Sequence, residues 1–148
     1  MKGLISMGNI QFEDNSIQVK DAIKSNVIAG LYEVAQEIVS QTVRNYDKAG
    51  RNQTGQTKGS FKEIHVDDDS LTATMGSNYE NAIWEEFGTG IHAINGDGRK
   101  DVPWKYQDKK TGQWYSTSGK SGHRPFFKAS ESLKPKIQKI IESKLKDL

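Results

Sequence analysis

The sequence predicts an α+β fold: a small antiparallel β-sheet packed against a long N-terminal helix and a C-terminal helix, with a long projecting loop or hairpin. Three observations point there. Apolar residues recur at steps of three and four from Val19 to Tyr46, and again after Pro125. Short segments between them alternate apolar and polar residues. A glycine-laced stretch with its own aromatics separates YENAIWEEFGTG (79–90) from HRPFFKAS (123–130).

The first helix is read from Val19, Ala22, Ile23, Val27, Leu31, Val34, Ala35, Ile38, Val39, Val43 and Tyr46. Asp21, Lys24, Glu33, Glu37 and Arg44 fall mostly on the opposite face. Gly30 lowers local propensity without breaking the pattern. At about 1.5 Å per residue this helix runs to roughly 40 Å. AGRNQTGQTKGS (49–60) has no periodicity and reads as a mobile connection.

FKEIHV (61–66) and SLTATMG (70–76), parted by Asp67, Asp68 and Asp69, predict a β-hairpin with an acidic loop. Tyr79 to Phe87 returns to helical spacing, with Asn78 as N-cap and Gly88 or Gly90 as the stop. VPWKYQD (102–108) and GQWYSTS (112–118) predict a second hairpin turned by DKKTG, with Trp104, Tyr106, Trp114 and Tyr115 pairing across strands. The closing helix carries Phe126, Phe127, Leu133, Ile137, Ile140, Ile141 and Leu145. Pro135 lies inside it, and a break near Leu133 is expected. No internal repeat or low-complexity tract is present.

A chain of 148 residues at 34% hydrophobic composition predicts one domain with a lean core. The absence of cysteine excludes a disulfide framework and thiolate metal sites, and fits a reducing cytoplasm. The opening MKGLISMGNIQFEDN lacks the apolar run of a secretory signal, and no window reaches the roughly 18 apolar residues of a membrane span. A soluble protein is expected. The net charge of +2 is unevenly spread. Residues 1–98 hold 8 Lys/Arg against 14 Asp/Glu, and residues 99–148 hold 13 against 5. Such polarity steers surfaces together. Nucleic-acid binding is the rival reading of the basic half, though its cations are scattered among Gly and Asp.

Catalytic and ligand motifs are incomplete. Gly119-Lys120-Ser121 resembles a P-loop end, but position 114 is Trp where the loop needs Gly. Asn95, Asp97 and Asp101 suggest a calcium loop, yet Arg99 and Tyr106 occupy ligand positions, so a solvated turn is the better reading. His65, His92 and His123 lie in three different segments without metal-ligand spacing. Glu85 and Glu86 point about 100° apart on a helix and cannot share one acid–base site. Glu85 is expected to be solvated, and Glu86 to face a partner or a backbone amide. A non-enzyme without cofactor or metal is expected. A hydrolase site between Glu86, His92 and His123 is the catalytic alternative.

Tyr79, Glu86, Phe87, Gly88 and Thr89, followed by Arg124, Pro125 and Phe126, resemble the paired signature of the gene-product-ten-like family of head–tail joining (tail completion) proteins of long-tailed bacteriophages. Thr54-Gly55 with Lys58 and Ser60 is similar to that family's Thr-Gly-x-Leu-Arg-x-Ser stretch, although Gln56-Thr57 replaces its hydrophobic–basic pair. The resemblance runs over roughly residues 19–148. It implies a structural virion protein of the neck, one joining domain over 1–148, with an extended arm at about 89–123. It further implies assembly in the host bacterial cytoplasm into a closed ring, a hexamer being favoured. Neck, connector, tail-tube or tail-terminator proteins would be its partners, with DNA passing nearby and no membrane.

On the residues alone, Gly88 and Gly90 let the chain leave a helix abruptly, and Pro125 opens the next. Phe126 and Phe127 serve as apolar anchors, with Glu86 set against Arg124. Together with the positions that the resemblance implies, the interface or structural-motif set is Tyr79, Trp84, Glu86, Phe87, Gly88, Thr89, Gly90, Trp104, Tyr106, Trp114, Tyr115, Arg124, Pro125, Phe126 and Phe127. The blander reading, in which EFGTG caps a helix and RPFF packs in the core, is compatible with it. The alternative function is a nucleic-acid-binding module using the aromatic hairpin and the basic second half.

Overall fold

A computed structural model of the chain describes residues 3–7, 10–50 and 54–148, with side chains from Glu13 onward. Its element order is β1 (Gly3–Met7), β2 (Ile10–Asp14), α1 (Ser16–Ala49), α2 (Gln56–Gly59), β3 (Glu63–Asp67), β4 (Thr72–Gly76), α3 (Glu80–Phe87), β5 (Trp104–Gln107), β6 (Trp114–Thr117) and α4 (Pro125–Lys146). A single 3₁₀ turn covers Gly90–His92. The α+β class holds. The strands pair as three two-stranded ribbons, β1–β2, β3–β4 and β5–β6.

Helix α1 outruns its apolar pattern at both ends. Its 34 residues span about 50 Å. Asp14 starts it by accepting the Ser16 amide at 2.9 Å, and this bond holds the Asp14 carboxyl below its usual range. The ribbon β1–β2, with Met7 opposite Ile10 and Gly3 opposite Asp14, was not anticipated by the sequence reading. The expectation of an irregular connection over 49–60 is corrected in part: Gly55, in the left-handed region at φ 74°, opens the one-turn helix α2. Residues 51–53 of that connection, and part of the opening segment tested for a secretory signal, lie outside the described residues.

Two compact units are distinguishable: Met1–Gln36 with Ile64–Thr74 and Lys134–Leu148, and Glu37–Glu63 with Met75–Leu133. In the first, Val34, Ala35 and Ile140 are buried. At Gly30 helices α1 and α4 approach closely, since a Cβ there would stand 3.0 Å from Ile141 Cδ1. Asn26 donates to the Lys144 carbonyl at 2.8 Å, satisfying a group near the end of α4. Lys144 pairs with Glu33 at 3.2 Å.

The acidic loop between β3 and β4 is organised by one of its own carboxylates. Asp67 Oδ1 accepts the amides of Asp69 and Ser70 and the Ser70 hydroxyl at 2.7–3.0 Å.

In the second unit, Tyr46, Phe61 and Ala82 form a core cluster joined by Val39 and Phe126. Phe61 stacks on Phe126 with centroids 5.8 Å apart, and Tyr46 lies 5.8 Å from Phe61. The fully buried Thr42 returns its hydroxyl to the Ile38 carbonyl at 2.8 Å, which satisfies that donor within α1 itself.

Two boundary expectations are corrected. Tyr79, not Asn78, occupies the N-cap position of α3, and it does so without a side-chain cap. Ser77 Oγ instead accepts the Tyr79 amide at 3.0 Å. Helix α4 does not break near Leu133 but runs through Pro135. Ala129, Leu133 and Ile140 are all buried along it, and packing at those positions offsets the amide that Pro135 cannot supply.

Candidate functional site

The two sequence blocks meet. Helix α3 ends at Gly88, whose positive φ of 76° breaks the helical path while its amide still reaches the Trp84 carbonyl at 2.8 Å. The backbone carbonyl of Glu85 then accepts the amides of His123 at 2.9 Å and Arg124 at 3.3 Å. Arg124 takes a left-handed φ of 54° before Pro125 opens α4. Glu86 completes the joint: its two carboxylate oxygens accept the amides of Phe126 and Phe127, each at 3.0 Å. These belong to the four donors that any helix leaves unsatisfied at its start, and a negative charge there also suits the helix dipole. The expectation that Glu86 faces a backbone amide is met within the chain. The Arg124 guanidinium lies over the Phe127 ring, 3.7 Å from its centroid.

Glu85 corrects the sequence reading. It was expected to be solvated, yet it is 6% exposed. It sits one turn after the buried Ala82, on the face that α3 turns inward. Its carboxylate is held by Lys120 Nζ and, at 2.9 Å, by His123 Nδ1. His123 in turn meets Tyr46 edge-on, centroids 5.4 Å apart. The Tyr46 hydroxyl is buried with no hydrogen-bond partner among the described residues. Burial, with a smaller contribution from the Glu86 charge, raises its pKa well above the usual phenol value.

A second set of bonds closes the stem of the 89–123 segment. Thr89 donates its amide to the Lys120 carbonyl at 2.8 Å and accepts the Lys120 amide on its hydroxyl at 2.9 Å. The Ile91 amide reaches the Ser118 carbonyl at 3.2 Å. The backbones touch so closely that a Cβ on Gly90 would fall 2.2 Å from the Ser118 carbonyl oxygen, and one on Gly122 would fall 2.6 Å from that of Glu86. Glycine is required here for approach as much as for conformation.

Beyond the stem, β5 and β6 pair antiparallel, with Tyr106 opposite Tyr115 and Gln107 opposite Trp114. Asp108 shapes the turn by accepting the amides of Gly112, Lys110 and Thr111. Alternation places Trp104, Tyr106 and Tyr115 on one face, with Lys105, Gln107 and Trp114 on the other. The two tyrosines stack at 5.7 Å yet both stay exposed. Arg99 covers Trp104 at 5.4 Å. Trp114 is 66% exposed. Nearer the stem, Ile83, Trp84, Phe87, Ile91, Ile94 and Phe127 are also exposed.

The remaining expected residues have local roles. Tyr79 donates its hydroxyl to Gln56 at 3.2 Å. Lys58 pairs with Asp47 at 2.5 Å, and Ser60 bonds Ser77. Lys120, the would-be P-loop lysine, is engaged by Glu85. His65 and His92 are exposed, while His123 pairs with Glu85 and Glu86 is occupied as a cap, so the Glu86–His92–His123 set has no shared centre among these contacts. Asn95, Asp97 and Asp101 are exposed, and Asp101 faces Arg99 at 3.6 Å. Among the described residues no group of three His, Asp or Glu is placed to hold a metal ion, and no helix is long and apolar enough to cross a membrane. Chemically, this arrangement fastens two chain segments and presents aromatic surface. Compared with protein-family models, curated proteins and solved structures, the chain matches none.

Proposed function

We propose that the protein is a structural subunit of a phage neck, joining head to tail by self-assembly into a ring and by contacts with connector and tail proteins. The observation that carries this reading is the pairing of a rigid stem with an exposed aromatic hairpin. Glu85 and Glu86 fix both ends of the 89–123 segment, while Trp114, Tyr106 and Tyr115 remain open to water. Large aromatics on a preorganised support are the residues that anchor protein interfaces, because burying them is worth much and ordering them costs little. The likeness of the two motif blocks to head–tail joining proteins supplies the biological setting. Light scattering at tens of micromolar and averaged electron micrographs test it. A closed ring, a hexamer by preference, is expected. A strict monomer that binds no neck or tail protein overturns it.

One observation favours a second reading. Lys105 shares a hairpin face with Trp114, and Lys109 and Lys110 sit in the adjoining turn, which is the pairing of cations and aromatics that grips nucleic acid. A salt-dependent mobility shift with oligonucleotides tests that function.

A further inference from the structure

An open apolar groove lies between α3 and the first turns of α4. It encloses about 360 Å³ and is lined by Met75, Ala82, Ile83, Phe87, Phe126 and Phe127, with Ser130 at its edge. Ile83, Phe87 and Phe127 are exposed, although they border a core that the chain has otherwise closed. Arg124 also lines the groove, and its Nε is buried without an acceptor among the described residues. An extended segment arriving here would bring carbonyl acceptors as well as apolar contact.

The chain carries a matching element. Trp114 is its most exposed aromatic among the described residues, and it stands on the hairpin face of Lys105, Gln107 and Ser116. Charge is complementary as well. Helix α3, one wall of the groove, carries Glu80, Glu85 and Glu86 and no Lys or Arg. Residues 99–120, which include the hairpin, hold six Lys/Arg and two Asp. Opposed fields of this kind favour contact between unlike patches and oppose contact between like ones.

We infer that the groove between α3 and α4 receives the β5–β6 hairpin of a second copy of this chain, with the Trp114 indole as the anchor. This rests on the assembly reading and specifies its contact. Hairpin and groove are different patches, so the contact is heterologous and repeats from copy to copy until a ring closes. Trp is among the residues enriched at binding hot spots, which cluster in desolvated pockets near the centre of an interface.

The absence of cysteine permits a direct test. Ser116→Cys places a thiol on the Trp114 face, and Ser130→Cys places one at the groove. The two single variants, one carrying a size tag, are mixed and oxidised. A mixed disulfide dimer is expected, and it should disappear when Trp114→Ala is added to the hairpin variant. In the otherwise unchanged protein, Trp114→Ala should weaken self-association roughly 30-fold or more. If the wild type forms rings but no mixed disulfide appears, the docking is overturned and the assembly reading stands. If the wild type is a strict monomer, the assembly reading falls and the docking with it. If oligothymidylate quenches Trp114 while Trp114→Ala leaves self-association unchanged, the hairpin serves nucleic acid and the docking is overturned.

Discussion

Glu86 and Phe126 stand 40 positions apart in the chain, yet the carboxylate of the first accepts the backbone amide of the second at 3.0 Å. A residue near the end of one helix thereby caps the start of another. Glu86→Ala should cost about 1–2 kcal/mol, the loss of a charged N-terminal cap. Glu86→Gln, which keeps one acceptor oxygen, should cost less. Denaturant unfolding followed by circular dichroism ranks the three proteins, and equal midpoints would remove the cap from the account.

The stem glycines divide by what surrounds them. Gly90→Ala meets both a φ of 60° and the Ser118 carbonyl, and about 2–5 kcal/mol of destabilisation is expected from strain and overlap together. Gly96 has a φ of 69° but nothing within 4 Å of a Cβ, so Gly96→Ala should cost only about 1–2 kcal/mol. Thermal unfolding distinguishes them.

Tyr46 hides a hydroxyl with no partner among the described residues. Tyr46→Phe removes a desolvated donor and should fall within about 1 kcal/mol of the wild type, or exceed it in stability. The pH dependence follows from the raised pKa of the folded-state phenol. The stability it contributes is fully present below the ordinary phenol value near 10. It is lost as pH rises above that, because the unfolded chain releases a proton that the folded one retains. Unfolding measured above pH 10 should therefore fall more steeply for the wild type than for Tyr46→Phe.

Asp67 titrates in the opposite sense. The Ser70 amide, then the Ser70 hydroxyl and the Asp69 amide, hold its carboxyl below the usual range. Its stabilising effect is present above the ordinary carboxylate value near 3.9 and is lost as pH falls through the lower folded value. Carboxyl NMR shifts should show that lowered midpoint in the wild type, returning toward the ordinary value in Ser70→Ala.

Pro135 interrupts the amide ladder inside α4. Pro135→Ala restores a donor and a better helix former, and should stabilise the protein by about 1–3 kcal/mol if the carbonyl one turn earlier can accept it. A fall in midpoint would instead show that the proline ring is itself a packing element.

Helices α1 and α4 were legible because a buried stripe must repeat every three or four residues, and that constraint is written in order along the chain. Hairpin β5–β6 was legible because its turn and its aromatics lie close together in sequence. Glu85 was not. Whether a helical carboxylate is solvated or buried depends on whether Lys120 and His123 return to meet it, and no local pattern encodes that return. The single sign available was spacing, with Glu85 one turn beyond Ala82 on the same helical face. Ribbon β1–β2 was missed for a related reason: five-residue strands of mixed polarity acquire their identity from each other. The Pro135 expectation followed a sound local rule that buried positions on either side outweighed.

The close approach at Gly90 carries a last implication. Cβ atoms built on Gly98 and on Gly90 would collide with the Gly90 and Ser118 carbonyls respectively, so the chain sets out toward the hairpin and comes back from it at one and the same spot. Whatever is spliced between positions 98 and 118 starts and finishes there, and its length is of no concern to the clasp beneath. Recognition can thus be swapped like a tool in a fixed handle, leaving the handle to fold as before.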